Sequence, residues 1–304
     1  MTYLKQAQSS LIVRLPNWVG DVVMALPALQ AMQQLGIELL LYGKPWAKDL
    51  LAGTDMTFVP ISNTFWETTK KMAKMVEHDK VLLLTNSFSS ALMGRLARKN
   101  TIGYKADNRQ LLLKASLSKQ PDLHEVEYFW NIARFASRYW FPTLTWPEKI
   151  PDKIQLPVSA ASAANAKQVL KTMNINKPFW VLCPFAHGKG KKGQSKRWPH
   201  WRELSAKLHQ YQLVVCPGKN DEALCAELVP EATVLAGLNL GDYAAVLASA
   251  EKVIANDSGP MHIAAAVGAD TVGIFGATEP RRTRPWGANY VGSLGQWPDL
   301  AELI

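Results

Sequence analysis

The sequence is poor in cysteine and contains no long apolar run. Its 304 residues include three cysteines, Cys183, Cys216 and Cys225, and their odd number and wide spacing argue against a disulfide framework. No apolar stretch approaches the roughly 18 residues that span a membrane, and residues 1–16 lack the apolar core of a signal peptide. We therefore expect a cytoplasmic protein in which Cys183 and Cys216, each at the end of an apolar run, are small buried side chains.

The sequence also lacks motifs for metal binding and for dinucleotide binding. No cysteine or histidine cluster has metal-ligand spacing, so the sequence predicts no metal site. The segment "RLPNWVGDVVMALP" contains neither G-x-G-x-x-G nor G-K-[ST], which argues against a dinucleotide fold or a P-loop at that place.

The chain is long enough for two domains of about 150 residues each. Strand-like runs such as "SLIVRLP", "KVLLLTN" and "YQLVVCPG" alternate with helix-like runs, a pattern typical of parallel sheets covered on both faces. A segment rich in Pro, Ala, Ser and Lys spans residues 141–178, and we place the linker near Pro151–Pro157. The predicted fold class is α/β, with domains at 1–153 and 154–304. In such sheets ligands bind at the carboxyl ends of strands.

Basic residues exceed acidic ones, giving a net charge of +9. Seven of them lie between Arg95 and Lys119 against the single acid Asp107, and "KGKKGQSKR" (189–197) holds no acid. Such clusters attract nucleic acid, an anionic membrane or a phosphorylated small molecule, although each can also be plain solvated surface.

The first candidate site follows the first strand. Gly20 allows a close backbone approach, and Asp21 is either the N-cap of the next helix or a general base. Pro27 is expected to kink this helix or to mark a later start.

Two further candidates follow strands in the second half. The loop "HGKGKKGQSKRWP" suits a diphosphate, with Lys196 and Arg197 nearest the next helix, although a mobile charged loop is the alternative. Asp221 and Glu222 open the following helix, where they either complement the helix dipole or hold ribose hydroxyls.

The segment "NDSGPMHIAAA" (256–266) is the fourth candidate. Pro260 suits the first helical position with Gly259 as the cap, which leaves Asp257 and Ser258 to face a ligand. His262 alone is weak support for a site, and Gly276 and Thr278 follow at the end of the next strand.

These segments resemble the motifs of glycosyltransferase family 9, the bacterial heptosyltransferases. "NDSGPMHIAAAVGADTVGIFGATEP" is similar to the family's carboxyl-terminal signature, "NWVGDVVMALPAL" to its amino-terminal motif, and "KRWPHWRELSAKL" to its central Lys-rich segment. "NSFSSALMG" and "IGYKADNRQLLLK" are most like the heptosyltransferase II branch.

The resemblance implies a GT-B fold, in which two Rossmann-like domains face each other across a cleft. The amino-terminal domain would bind the acceptor, an inner-core lipopolysaccharide at the cytoplasmic face of the inner membrane. The carboxyl-terminal domain would bind ADP-L-glycero-D-manno-heptose as a substrate. Transfer would invert the anomeric centre without metal or cofactor, in agreement with the lack of an Asp-x-Asp motif. We expect a monomer, peripheral to the membrane, that binds no nucleic acid.

The resemblance also assigns roles to residues. Asp21 would be the catalytic base, and Lys196 would neutralise charge on the leaving ADP. Glu222 would hold the ribose, with Asp221 as a close alternative. The other expected donor contacts are Arg197, Asp257, Ser258, Gly259, Met261, His262 and Gly276. The expected acceptor contacts are Asn17, Gly20, Asn86, Ser87, Arg98, Lys99, Lys105 and Arg109.

Other interpretations remain open at this point. The same fold could transfer a different nucleotide sugar or epimerise one, and the +9 charge alone would suit a nucleic-acid-binding protein. Residues 287–304 carry no assignable motif, and we expect that the last of them pack on the amino-terminal domain.

Overall fold

The computed structural model describes residues 10–190 and 193–304. The predicted lack of a signal peptide concerns residues 1–16, of which the structure describes only 10–16. Lys191 and Lys192 of the predicted diphosphate loop lie outside the described residues. The chain divides into two compact units. The first comprises residues up to Lys48 and Asp55–Pro151, and the second comprises Asp49–Thr54 and Asp152–Ile304. The sequence placed this division between residues 153 and 154.

The first unit is a parallel sheet of six strands, in the order β3-β2-β1-β4-β5-β6, among the described residues. Its strands are β1 (Ser10–Arg14), β2 (Glu38–Gly43), β3 (Thr57–Pro60), β4 (Lys80–Leu83), β5 (Asn100–Tyr104) and β6 (Ala115–Leu117). Its helices are α1 (Val19–Gln34), α3 (Phe65–Ala73), α4 (Phe88–Leu96) and α5 (Glu125–Trp140), with α2 (Ala47–Leu50) across the division.

The buried run "SLIVR" makes β1 the centre of this sheet, paired in parallel with both β2 and β4. Helix α1 packs along α5, and α3 packs against α4. The strand order reverses between β1 and β4. In open parallel sheets such a reversal makes the loops after the two strands diverge, and a crevice is expected between them. The crevice lies where the first candidate site was predicted.

Helix α1 differs from two of the expectations, the later start at Pro27 and the N-cap at Asp21. It begins at Val19 and runs through Pro27 to Gln34, so Pro27 neither delays its start nor ends it. Complete burial of Leu26 and near-complete burial of Ala28 supply packing energy that offsets the hydrogen bond a proline cannot donate. Asp21 is consequently a residue of the first turn, and the N-cap is Trp18.

The second unit repeats this architecture, with the sheet order β12-β11-β10-β7-β8-β9. Its strands are β7 (Phe179–Cys183), β8 (Gln212–Val215), β9 (Thr233–Val234), β10 (Lys252–Asn256), β11 (Thr271–Ile274) and β12 (Asn289–Val291). Its helices are α6 (Ala160–Thr172), α7 (Trp201–Lys207), α8 (Cys225–Leu228), α9 (Leu240–Ala248), α10 (Gly259–Ala266) and α11 (Pro280–Thr283). The order reverses between β7 and β10, which places a second crevice at the ends of those strands.

The carboxyl-terminal residues complete this second unit. Strand β12 pairs with β11, and a short 3-10 helix follows at Leu300–Glu302. Leu303 is buried in the same apolar cluster as Trp198 and Trp201. Burial of Leu303 and pairing of β12 make these residues part of the second unit.

The cysteines lie in the second unit as free thiols. Cys183 is buried as predicted, and burial raises the pKa of its thiol to about 12, so it stays protonated at neutral pH. Cys216 is partly exposed, which differs from the prediction. In the part of the chain that the structure describes, no helix combines the length and apolar character needed to cross a bilayer.

Candidate functional site

An ion pair between Lys196 and Asp257 lies at the crevice of the second unit. Lys196 Nζ is 2.7 Å from Asp257 Oδ2, and Thr278 Oγ1 donates to the same oxygen at 2.6 Å. The Asp257 side chain is 5% exposed and that of Lys196 is 21% exposed. The carboxylate is thus held below the surface, and the ammonium above it keeps access to solvent and to a ligand.

Asn256, the last residue of β10, fixes the position of this pair. Its side chain is completely buried, and its Oδ1 accepts from the backbone N–H of Trp198 at 3.1 Å and from Trp201 Nε1 at 3.3 Å. Its Nδ2 donates to the carbonyl of Pro184 at 2.5 Å. One amide therefore joins the end of β7, the segment next to Lys196 and the residue before Asp257.

The Gly- and Lys-rich loop after β7 is folded rather than loose in its described part. Lys189 and Ser195 form an antiparallel bridge, and Gln194 Nε2 donates to the carbonyl of Ala277 at 3.0 Å. Gly190 lies so close to that carbonyl that a Cβ atom would be 2.5 Å from it. The loop is thereby attached to the segment that follows β11, and this attachment positions Lys196.

Helix α10 begins beside Asp257. The structure makes Ser258 the N-cap and Gly259 the first helical residue, whereas the sequence suggested Gly259 as the cap. Ser258 Oγ makes no capping bond, and it has no hydrogen-bond partner among the described residues. A helix N-terminus carries partial positive charge, so Lys196 and α10 together favour an anion here.

Asp221 and Glu222 differ in their availability. Asp221 is buried, and its Oδ2 is 2.9 Å from Nε2 of the exposed His187. Glu222 is exposed at the first position of a short 3-10 helix, Glu222–Leu224. Of the two candidates for the ribose, Glu222 therefore has the more accessible carboxylate.

Several other predicted donor residues are largely buried in this structure. Met261 is completely buried, and a Cβ on Gly273 would lie 2.5 Å from its sulfur. His262 is 4% exposed. A Cβ on Gly276 would lie 2.0 Å from the ring of Trp297, so this glycine makes room for the indole. Arg197 is partly buried next to Lys196, but its Nε has no hydrogen-bond partner among the described residues.

In the first unit, a buried arginine holds the loop after β1. Arg14 is 7% exposed and donates to Asn17 Oδ1 at 2.9 Å and to the carbonyl of Leu15. Burial lowers the pKa of the Arg14 guanidinium. Asn17 is exposed, Gly20 is buried and Asp21 is half-buried, and all three follow the carboxyl end of β1 within seven residues.

The neighbouring loop, after β4, carries Asn86 and Ser87. The Asn86 amide donates to Tyr128 Oη at 2.8 Å and accepts from it at 3.0 Å. The Tyr128 ring is stacked on Tyr104 with 3.9 Å between ring centroids. Ser87 caps α4 by accepting from the N–H of Ser90. Because β4 pairs in parallel with β1, Asn86 and Ser87 leave the same edge of the sheet as the loop after β1.

Arg109 was predicted as an acceptor contact, but its side chain is completely buried. It donates to the carbonyls of Tyr104 at 2.8 Å and Thr85 at 2.6 Å, and burial lowers the pKa of its guanidinium. Arg109 therefore supports the loops after β4 and β5 from within and presents no charge to the surface.

The remaining predicted acceptor cations do not share one edge of the sheet. Lys105 is exposed directly after β5, at the carboxyl edge. Arg98 and Lys99 precede β5, at the amino edge, and Lys99 Nζ donates to the carbonyl of Met75 at 2.7 Å. Lys105 is therefore separated from Arg98 and Lys99 by the length of β5.

The family model of glycosyltransferase family 9, heptosyltransferase, matches residues 67–303. This chain belongs to that family. It is 27% identical to lipooligosaccharide heptosyltransferase 2 of Haemophilus influenzae, over 89% of this chain and 84% of the relative. It is 25% identical to lipopolysaccharide heptosyltransferase 2 of Escherichia coli, over 89% and 83%. The structure of Escherichia coli ADP-heptose lps heptosyltransferase II has a TM-score of 0.73 at 25% identity, covering 93% of this chain and 90% of that one.

The family 9 chain is accordingly a glycosyltransferase, and its two Rossmann-like sheets have the GT-B fold that the sequence predicted. Membership of this enzyme family contradicts the alternative that the chain is not an enzyme. In the described residues, no group of three or more His, Cys, Asp or Glu is arranged to hold a metal ion.

One feature of this glycosyltransferase was missed at the sequence level. A cavity of about 280 Å³ opens between the ends of β5 and β6 and helix α5. Two arginines, Arg134 and Arg138, line it, and Arg134 donates to Asn131 Oδ1 at 3.1 Å. The sequence of α5 predicts an amphipathic helix that packs on the core. That its two arginines line a cavity is visible only in the structure, where β6 and the residues after it line the same cavity.

Proposed function

We propose that this glycosyltransferase moves heptose from ADP-L-glycero-D-manno-heptose to an inner-core lipopolysaccharide acceptor, with inversion and without a metal ion. It would work in the cytoplasm, peripheral to the inner membrane. The family and the names of the relatives support the sugar and the acceptor. The name of the Escherichia coli structure supports ADP-heptose as the donor.

The observation that carries the proposal is the Lys196–Asp257 pair at the N-terminus of α10. Cleavage of an ADP-sugar leaves growing negative charge on the diphosphate. A fixed ammonium and a helix N-terminus stabilise this charge without any reorganisation of solvent. These two groups would take the part that a divalent cation plays in metal-dependent transfer, which is the physical basis for proposing independence from metal.

Asp21 would act as the general base in the first unit. A single displacement at the anomeric carbon forms the new bond from the acceptor oxygen as the bond to the ADP oxygen breaks, which inverts the centre. The acceptor hydroxyl loses its proton to the Asp21 carboxylate in this step. General-base catalysis of this kind contributes about 10²- to 10⁴-fold.

Glu222 would hold the ribose hydroxyls, because it is exposed whereas Asp221 is engaged with His187. Acceptor anions would bind the exposed cations at the carboxyl edge of the first unit, among them Lys105, and the cavity lined by Arg134 and Arg138.

A turnover screen tests the donor and the acceptor. Purified protein is mixed with ADP-heptose, or with UDP- and GDP-sugars, and with heptose-free or mono-heptosylated lipopolysaccharide cores, with and without EDTA. We expect product from ADP-heptose alone, undiminished by EDTA, with inverted anomeric configuration by NMR. Product from a UDP-sugar alone, or full inhibition by EDTA, would refute the corresponding part of the proposal.

The base is tested with Asp21→Asn, which keeps the side-chain volume and removes the charge. Turnover should fall about 10²- to 10⁴-fold, while ADP affinity by calorimetry should stay near that of the wild type. Asp55→Asn is the matched control, since Asp55 is an exposed acid outside the first candidate site. Near-normal turnover of Asp21→Asn would show that another group takes the proton.

A further inference from the structure

Helix α4 presents an apolar row to solvent. Phe88, Leu92 and Leu96 are spaced four residues apart and therefore line one side of the helix. The opposite side, with Ala91, Met93 and Ala97, is buried in a core cluster of the first unit. Phe88 is 47% exposed, Leu96 is 46% exposed and Leu92 is partly exposed. An amphipathic helix normally places polar residues on this side.

Exposed apolar side chains also lie on two segments that pack against α4. The short 3-10 helix Arg109–Leu112 packs against α4, and its Leu111 is 85% exposed. The neighbouring Leu112 and Leu113 pack on the core cluster, so the segment is anchored and Leu111 alone points outward. Trp66, 64% exposed, lies on α3, which packs against α4.

Cations surround these apolar side chains. Arg95 and Arg98 are exposed at the end of α4, and Lys105 and Lys114 are exposed on either side of the 3-10 helix. Between Lys80 and Pro121 the sequence holds one acid, Asp107. A mixture of apolar and basic side chains is typical of helices that lie in the interface of an anionic membrane.

We propose that the α4 face (Phe88, Leu92, Leu96 and Leu111, with Arg95, Arg98, Lys105 and Lys114) docks on an anionic phospholipid bilayer. The apolar side chains would enter the boundary between headgroups and acyl chains, and the cations would bind lipid phosphates. Arg and Lys side chains suit this place because their stems lie along apolar surface while their charges reach the headgroups.

The position of the α4 face favours a bilayer over another occupant. The face starts at Phe88, directly after Asn86 and Ser87 at the crevice of the first unit, so docking brings that crevice next to the lipid surface. This matters biologically only if the acceptor is membrane-borne, and in that respect the inference rests on the proposed function. The binding itself requires no transfer reaction.

Vesicle sedimentation tests the inference with the full chain. The vesicles contain phosphatidylglycerol mixed with phosphatidylcholine, and pure phosphatidylcholine vesicles are the reference. We expect binding to the anionic vesicles that weakens with added salt, because salt screens charge attraction at the surface. The double variant Leu96→Gln/Leu111→Gln should bind about tenfold more weakly, since each leucine contributes apolar area to insertion.

Met173→Gln is the matched control, because Met173 is an exposed apolar residue (41%) of the second unit. This substitution should leave vesicle binding unchanged. Both variants should unfold at the wild-type temperature and transfer sugar to a lipid-free acceptor at the wild-type rate. Equal vesicle binding by the double variant and the wild type would overturn the inference, as would a wild-type protein that ignores anionic vesicles. Self-association abolished by the double variant, measured by analytical ultracentrifugation without lipid, would assign the face to a second copy of the chain instead. Failure of the proposed function would appear separately, as absent transfer by protein that still binds vesicles.

Discussion

Replacement of Lys196 by methionine separates a catalytic role of its ammonium from a structural one. Methionine keeps the unbranched stem but removes the charge. The Asp257 carboxylate, 5% exposed, would then retain the Thr278 hydroxyl but lose its cation. Any loss of stability would arise from this uncompensated buried charge, and any loss of turnover from the missing charge beside the leaving diphosphate.

The two effects have different expected sizes. Removing one partner of a fully buried ion pair costs about 3–5 kcal/mol. Because the Lys196 side chain is 21% exposed, water compensates part of the loss, and we expect about 2 kcal/mol. That corresponds to a fall in the unfolding temperature of about 4–8 °C for a unit of this size. Loss of a group that stabilises transition-state charge costs about 10²- to 10³-fold in turnover.

A second variant distinguishes the two roles. In Lys196→Met/Asp257→Asn no charge remains, so the stability measured by thermal unfolding should recover to within about 1 kcal/mol of the wild type. Turnover measured with saturating ADP-heptose should stay low. Recovery of turnover with stability would show that Lys196 only neutralises Asp257. If Lys196→Met kept turnover within about threefold, the assigned role on the leaving group would be wrong, since that is under 1 kcal/mol of transition-state stabilisation.

Two further predictions concern residues that the structure places in the interior. Arg109→Met should destabilise the protein by about 2–4 kcal/mol, because it leaves the carbonyls of Thr85 and Tyr104 unpaired, whereas Lys105→Met should not; an Arg109 variant of wild-type stability with a raised acceptor KM would contradict its interior role. Gly276→Ala should lower stability by about 1–3 kcal/mol through contact with the Trp297 ring, and Trp297→Leu in the same chain should restore part of it; thermal unfolding measures both, and an unchanged Gly276→Ala would show that the ring moves freely.

The strands recognised from the sequence are those whose apolar character is continuous. The run "SLIVR" in β1 and the run "FWVLC" in β7 are buried almost throughout, so composition alone identifies them. Strand β6, "ASL", and strand β9, "TV", are short and partly exposed. They are strands because a neighbour offers unpaired backbone groups, and this information is not local in the sequence.

The same distinction between local and non-local information applies to the candidate site. The rule that ligands bind at strand ends brought Lys196 and Asp257 together correctly, because both follow central strands of one parallel sheet. The rule could not show that Arg109 is buried and Lys105 is exposed, because the groups that bind a buried arginine lie far from it in the sequence. Thr85, which receives the Arg109 hydrogen bond, is 24 residues away.

Asn256 explains why the segment "NDSG" has this order of polar residues. Parallel strands end at one edge, and there the last residue of β10 meets both the loop after β7 and the start of α10. A buried amide at position 256 satisfies a carbonyl and two N–H donors, which fixes the backbone on each side of it. The following carboxylate can then hold Lys196 at a set distance from the helix N-terminus, and the small Ser258 and Gly259 keep that end open to a ligand. The first residue of the motif is therefore structural, and the positioning of charge by Asp257 depends on it.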